Sequence, residues 1–489
     1  MTQSDRHRSH VVSSMVEREL KLSVDSKFRL PPLAGTPLPR RMLISTYYDT
    51  ASYDLAHARI TLRYRVERGK QAWQLKVPLG QDRLEIELVE RQTSPPAILR
   101  DLLMLAAGER ELTPVATLRV WRTGVRVRHG RLALADVVLD RVSVVKEGRV
   151  VQQFRELEIE RLQGDEGSLR AIEHQLRQAC ACDHDGRPKL FHALSLPAPA
   201  PDAPPAPDMP VIEHLKWALA RHVRWLVAHD PGTRVGIEPE SLHQMRVATR
   251  RLRAMLRAAR PLLVSDWAIA LQHELHWLSE LLGPARDLDV QIAYLTNAVA
   301  GLEARDRKPL MQFVAALHAQ REQLQPVLVN ELKTARYVDL MRRLHQTSEA
   351  PAVVESPLTL HDLAQQEFKK LRKTMRQLAA APSNAAIHRL RIKVKRTRYT
   401  AELAEHSSGK AVTTFIKRAR ALQDLLGTHQ DAVQMESYLR EFAHRATSVR
   451  AGFAAGRIVE RQHAYRAIAL KQLPKLWRRL LKQGKKIWD

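Results

Sequence analysis

The stretch Val16-Glu17-Arg18-Glu19-Leu20-Lys21-Leu22 reads as a β-strand of period two. Glu17, Glu19 and Lys21 fall on one face, and Val16, Leu20 and Leu22 on the other, with Arg18 the exception. Carboxylate oxygens suit a hard divalent cation and an ammonium suits phosphate, so this face is fitted to a cation and an anion together. A single charged face is also what a solvated edge strand shows. The weight comes from repetition further along. Arg63 and Arg65 share a face in LRYR, and Lys76 shares one with Gln74 in WQLKV. Glu85 and Glu87 share a face in RLEIEL, Glu156, Glu158 and Glu160 in RELEIE, and Asp140 closes VVLD.

Strand patterns continue through the first two-fifths of the chain, at 45–48, 60–66, 72–77, 84–89, 116–122, 125–128, 132–138 and 154–162, with turn signals such as Arg68-Gly69, His129-Gly130 and Glu147-Gly148 between them. Helical patterns interrupt at 97–107 and 168–181. These two helices are expected to cover the apolar strand faces. The charged faces are then free to curl around a channel in a closed barrel, with the greasy residues outward.

The chain has 489 residues, too many for one ordinary core, so two or three domains are expected. A formal charge of +26 points to an anionic partner: nucleic acid, an anionic membrane surface or a polyphosphate. Aromatic residues are 5% of the chain, which disfavours a base-stacking reader of single strands. Cys180 and Cys182 are the two cysteines, too few for a disulfide framework or a metal quartet, which fits a reducing cytosol. No apolar run approaches a membrane span. Residues 1–14 lack the apolar core of a signal peptide and read as a disordered tail.

Residues 197–210 are rich in Pro and Ala and read as an extended spacer. From Val211 onward the pattern is helical and internally repeated. HQMRVATRRLR at 243–253 resembles HRLRIKVKRTR at 388–398, and LLGPARD at 281–287 resembles LLGTHQD at 425–431. Two matched pairs in one order indicate a duplicated unit, about 211–350 and 358–489, packed as two related helical bundles. On a helix His243, Arg246, Arg250, Arg253 and Arg257 form a stripe, with Met245, Leu252, Met255 and Leu256 opposite. The second copy keeps His388, Arg391, Lys395 and Arg398, with Arg396 adding charge beside them. Like charges at this spacing repel, so helix stability alone does not explain the stripe, whereas a polyanion does.

Glu17-x-Glu19-x-Lys21 resembles the ExExK signature of the CYTH superfamily, the triphosphate tunnel metalloenzymes. YYDT at 47–50, LRYR at 62–65, the strand with Lys76, LEIE ending at Glu87, VLD ending at Asp140 and ELEIE ending at Glu160 follow in that family's order. The resemblance implies an antiparallel eight-stranded closed tunnel over 15–196, α+β in class, binding triphosphate with Mg²⁺ or Mn²⁺. It implies Glu17, Glu19, Asp140, Glu158 and Glu160 as metal ligands, and Lys21, Arg63, Arg65, Lys76, Arg122 and Lys189 as substrate-holding residues, with Glu85 or Glu87 contributing. Thr123-Gly124-Val125 after Arg122 departs from the pattern and leaves Arg119 as a substitute. The second half, 211–489, is similar to the all-α CHAD domain through HxxRxxx[RK]RxR, present twice, which implies inorganic polyphosphate in a basic groove. The domain order is similar to that of bacterial inorganic triphosphatases. The implied activity is hydrolysis of inorganic triphosphate to pyrophosphate and phosphate. Thiamine triphosphate or ATP as substrate, a non-catalytic polyphosphate binder at cytoplasmic granules, and a nucleic-acid binder are the rivals.

Overall fold

In the computed structural model, residues 12–79, 82–197, 203–446 and 448–488 are described. The expected tail lies outside them up to residue 11, and Val12–Ser14 belong to the first strand. Of the expected spacer, 198–202 lie outside them, and 203–210 form neither helix nor strand. The chain divides into two compact units. One is strand-rich, made of the residues before 198 with Val227–Ser241. The other is helical, made of 203–226 and the chain from Leu242 onward.

The strand-rich unit holds β1 (Val12–Glu17), β2 (Glu19–Ser23), β3 (Gly35–Asp49), β4 (Thr61–Glu67), β5 (Lys70–Leu79), β6 (Asp82–Leu88), β7 (Thr113–His129), β8 (Leu132–Lys146), β9 (Arg149–Arg161) and β10 (Cys182–Asp183). Its helices are α1 (Asp54–His57), α2 (Ala97–Leu102), α3 (Met104–Ala107), α4 (Glu166–Gln178) and α5 (Lys189–Ala193). All described ladders are antiparallel, in the order β1-β6-β5-β4-β3-β7-β8-β9-β2-β10. The eight-stranded closed count is therefore corrected to a ten-stranded sheet with an open hydrogen-bonded order. The physical reason lies at Arg18. The VERELKL segment is one run of chain split into two strands, β1 pairing with β6 and β2 with β9, so both halves of the sheet are stitched to it without a continuous ladder.

The apolar strand faces are covered as the alternation requires. Leu62, Trp73, Leu75, Leu84 and Ile86 pack with Leu99, Leu102 and Leu103 of α2 and its C-terminal cap. Leu22, Val137, Leu157 and Ile159 pack with Ile172 and Leu176 of α4, whose N-cap Asp165 accepts the Ser168 N–H at 2.8 Å. The charged face is not wholly charged, however. Leu43, Leu118, Val120, Val142 and Val144 sit on it and form their own buried cluster with Leu190 of α5. One end of the inner face is thus filled by apolar side chains, which corrects the expectation that greasy residues point outward throughout. β7 runs unbroken where two strands were expected. Gly124 lies within it, and a Cβ there would sit 2.4 Å from the Val137 carbonyl oxygen, so glycine marks a close backbone approach, not a turn.

The helical unit and its approach comprise α6 (Val211–Val235), α7 (Pro239–Ala258), α8 (Ser265–Ala300), α9 (Ala304–Glu331), α10 (Ala335–Glu349), α11 (Leu360–Arg376), α12 (Asn384–Leu403), α13 (Glu405–Ser408), α14 (Lys410–Arg445) and α15 (Val449–Trp488). The repeat is visible in α8 and α14, each 36 residues long and each carrying its LLG motif midway. The two copies do not keep separate interiors: Leu295 and Val299 of α8, Leu310 and Val314 of α9, Leu439 of α14 and Ile458 of α15 share one buried cluster. Among the described residues no helix is long and apolar enough to cross a membrane.

Candidate active site

Residues opposite one another on a ladder share a face. The pairs Glu19–Glu160, Lys21–Glu158, Arg122–Asp140, Tyr47–Arg63 and Lys76–Glu85 therefore carry the charged face around the sheet. Two ion networks form on it. In the first, Arg122 grips Asp140 with two N–H groups at 2.7 and 2.8 Å and reaches Glu158 at 2.7 Å and Glu160 at 2.6 Å. Lys189, at the start of α5, donates to Asp140 at 2.6 Å and Glu158 at 3.0 Å and lies 2.9 Å from Glu156. Lys21 donates to Glu158 at 2.8 Å and Glu156 at 3.2 Å. In the second network, Lys76 sits between Glu17 and Glu85, 3.0 Å from the latter. Glu87 is turned to Lys70 at 2.7 Å and Gln74 at 2.8 Å, so Glu85 is the member of that pair beside Lys76. Arg119 is exposed on the opposite face, opposite Ile44, and does not stand in for Arg122.

Burial works against every charge here, and the neighbours decide the outcome. Lys189 and Lys21 outweigh burial at Glu156 and bring its carboxyl down to about 2, and the same lysines with Arg122 hold Glu158 well below the usual range. Glu156 and Glu158 in turn hold Lys21 above the usual lysine range despite its burial. Three groups are left out of balance. Burial raises Glu19, with Glu158 and Glu17 adding to it against Lys21. Burial also raises Glu160, with Glu158 and Glu17 opposing the help of Arg122. Arg65 is brought down to about 10 by burial, then by Arg63 and Arg122, and its buried Nε has no hydrogen-bond partner among the described residues. Its neighbour Arg63 donates to the neutral groups Gln74 at 2.8 Å and Tyr47 at 3.2 Å. Two under-neutralised carboxylates and an under-neutralised guanidinium therefore coexist on one lined face.

The carboxylates of Glu17, Glu19, Asp140, Glu158 and Glu160 supply hard oxygen donors of the kind a divalent cation takes. Each of the five is ion-paired: Glu17 with Lys76, Glu19 with Lys21, Asp140 with Arg122 and Lys189, Glu158 with Arg122, Lys189 and Lys21, and Glu160 with Arg122. Among the described residues, the trio with ligand atoms within 4.8 Å of one another is His184, Asp185 and His192. There the Gly186 N–H already donates to His184 Nδ1 and the Arg187 N–H to Asp185 Oδ1, each at 3.0 Å.

In the helical unit, Arg250, Arg253 and Arg257 of α7 and Lys395 and Arg396 of α12 line a cavity of about 200 Å³, with Tyr399, Thr400 and Glu367. Arg398 is turned away, buried against the Tyr399 ring at 4.4 Å and paired with Glu402. His388 is exposed, its Nδ1 3.0 Å from Gln430. His243 is half-buried. Burial, then Arg391 and Arg250, brings Lys395 down to about 7, and the buried Arg250 Nε and Arg391 Nε lack hydrogen-bond partners among the described residues. The two basic stripes thus face one another with too little acid between them.

The sequence matches the CYTH domain family over 15–180 and the CHAD domain family over 218–440. The chain is a CYTH–CHAD protein. It is 28% identical over 494 residues to the uncharacterised protein Rv2226 of Mycobacterium tuberculosis, covering 92% of each chain. The crystal structure of a CHAD domain from the plant Ricinus communis is similar at 26% identity and a TM-score of 0.47, covering 57% of this chain and 94% of that one. A putative adenylyl cyclase from Hippeastrum, described as having a dominant triphosphatase activity, is similar at 17% identity and a TM-score of 0.26, covering 37% and 95%.

Several residues of both sites escape a reading by motif. In the CYTH domain these are Glu156, whose place on the RELEIE face is legible, Gln74 and Tyr47, whose partners are set by register, and His184, which follows β10 and reaches Glu156. In the CHAD domain they are the motif glycines. A Cβ at Gly283 would lie 2.9 Å from Arg246 Nη1, whereas one at Gly427 would lie 3.7 Å from the Arg391 guanidinium. In both copies the LLG glycine lies beside the arginine of the HxxR motif, but only at Gly283 is the approach too close for a Cβ without a shift of the guanidinium. Glycine inside a helix costs about 1 kcal/mol relative to alanine. Gly283→Ala is therefore expected to leave the fold as stable or more so in thermal melts while displacing Arg246 and weakening anion binding severalfold. Gly427→Ala is expected to leave binding near wild type.

Proposed function

We propose that the CYTH domain hydrolyses inorganic triphosphate to pyrophosphate and phosphate with Mg²⁺ or Mn²⁺, and that the CHAD domain binds inorganic polyphosphate. The observation that carries the first part is the imbalance on the charged face. Arg65 wants an anion, and Glu19 with Glu160 wants a cation. A metal–triphosphate complex satisfies both. The one run of chain that forms β1 and β2 pairs with β6 on one side and β9 on the other, which sets Glu17 and Glu19 between the two networks.

Arg63 and Arg65 have no carboxylate partner among the described residues; Arg65 Nε is open to a phosphate oxygen, and Arg63 gives up only the neutral partners Gln74 and Tyr47 to reach one. Lys21, Lys76, Arg122 and Lys189 are held in place by carboxylates and add positive potential around the chain of phosphates. Water adds to the terminal phosphorus and loses a proton to solvent, while the bridging P–O bond breaks and its electron pair leaves with pyrophosphate. Glu17, Glu19 and Glu160 would hold the cation, which supplies a water of lowered pKa and neutralises phosphoryl oxygens. Turnover of triphosphate, ATP, thiamine triphosphate and long-chain polyphosphate under each metal tests the reading. Phosphate release fastest from inorganic triphosphate supports it. Preference for either nucleotide or thiamine ester reassigns the substrate, and binding without turnover leaves a phosphate-polymer binder.

Lys395 gives the CHAD part a pH signature. Binding a polyanion requires its ammonium, and its folded-state value lies near 7. Polyphosphate affinity is expected to fall as pH rises from 6 to 8, by at most about tenfold per unit. Lys395→Met is expected to flatten that part of the profile. The folded value is below the unfolded one, so the charged form costs stability below pH 7. Melting temperature of the free protein is therefore expected to gain as pH rises from 7 towards about 10.

A further inference from the structure

The outer face of the CYTH sheet carries a second basic feature. A groove of about 690 Å³ crosses β7, β8 and β9 next to the chain that follows β2. Its floor is a row of successive cross-strand partners: Trp121 faces Arg141, and Arg141 faces Arg155. Arg29 and Arg40 line it as well, Arg40 lying over the Trp121 ring at 4.4 Å. None of the described residues lining it is acidic.

Like charges directly opposite on a ladder destabilise a sheet, so the Arg141–Arg155 pair is not there for stability. Burial, then Arg29 and Arg141, pushes the Arg155 guanidinium below its usual value. Arg155 also has a structural task, donating to the carbonyls of Asp25, Ser26 and Phe28 at 3.1, 2.7 and 3.2 Å. Arg40 and Arg141 are exposed and make no carboxylate pair among the described residues.

We propose that this outer groove binds a linear phosphate polymer, as a site separate from both the tunnel and the CHAD cavity. The proposal rests on the reading of polyphosphate as a ligand of this protein. Guanidinium groups meet phosphate oxygens two at a time, and strands about 4.8 Å apart set the cations in a line that an extended chain can follow. One face of Trp121 is taken by Arg40, so the ring steers a cation and is not an open platform for a base. Each groove residue also adjoins an interior one: Trp121 next to Arg122, Arg141 next to Asp140, Arg155 next to Glu156. A polymer held outside therefore lies one backbone away from the inner charged face.

The test uses the full chain and labelled long-chain polyphosphate at fixed ionic strength. Arg40→Glu with Arg141→Glu is compared in the wild type and in a background carrying Arg250→Glu and Lys395→Glu. In that background the outer pair is expected to lower the remaining affinity at least tenfold and to flatten its salt dependence. Triphosphate turnover and the melting curve should stay at the background's level, showing that the fold is intact. Equal affinity with and without the outer pair, or no binding left in the background itself, overturns the proposal. So does a loss for phosphatidylserine vesicles or single-stranded DNA without a loss for polyphosphate. If Arg250→Glu with Lys395→Glu leaves binding untouched, the CHAD reading fails, and the outer pair in the wild type still decides this one.

Discussion

Replacing Glu17 and Glu19 together by alanine is expected to reduce triphosphate turnover by at least two orders of magnitude, on the scale of about 3–4 kcal/mol of lost transition-state stabilisation. The two side chains flank Arg18 at the point where one run of chain leaves β1 for β2. Glu17 contacts Lys76, and Glu19 stands opposite Glu160. Removing both takes away two of the three carboxylates proposed to hold the cation and leaves Lys76 with Glu85 alone. Most of the fold's burial lies elsewhere, in the two clusters under α2 and α4, so the far-ultraviolet spectrum should be unchanged. Turnover within threefold of wild type at saturating Mg²⁺ would remove these residues from the site.

Asp140→Ala is expected to cost about 3–5 kcal/mol, the usual range for removing one partner of a buried ion pair. In a domain of this size that corresponds to a melting temperature lower by about 6–20 °C. Asp140 is fully buried, and both of its oxygens are taken by Arg122 and Lys189. Without it, two buried cations must share Glu156, Glu158 and Glu160. The comparison is Glu173→Ala, which breaks an exposed pair with Arg177 and is expected to cost less than about 0.5 kcal/mol. The Mg²⁺ dependence of turnover separates the two roles open to Asp140. An anchor for Arg122 and Lys189 loses stability with an unchanged Mg²⁺ midpoint. A metal ligand shifts that midpoint and leaves the melt nearly alone.

Alternation by itself makes the inner face legible, because period two ties Glu17 to Glu19, Arg63 to Arg65 and Glu158 to Glu160 without reference to a partner strand. The composition change at the Pro/Ala-rich run marks the two halves, and the paired HxxR and LLG motifs mark the duplication. What the residues alone do not reveal depends on register. Alternation already sets Leu118 and Val120 on the face of Arg122, and Val142 and Val144 on that of Asp140, but only pairing joins the two sets and adds Leu43, opposite Val120. Asp140 looks like a free carboxylate in VVLD until Arg122 is found directly across from it. Arg398 belongs to the basic stripe by spacing, yet Tyr399 and Glu402 on its own helix draw it away from the cavity. The shared interior of α8, α9, α14 and α15 is likewise a property of packing, since each copy's apolar pattern fits a separate bundle equally well.

The most direct measurement is a diffraction structure of the full chain soaked with inorganic triphosphate and Mg²⁺. The phosphate chain is expected against Arg63 and Arg65, with the cation on Glu17, Glu19 and Glu160. Phosphate density found away from the charged strand face, with Arg65 still unpartnered, would contradict it.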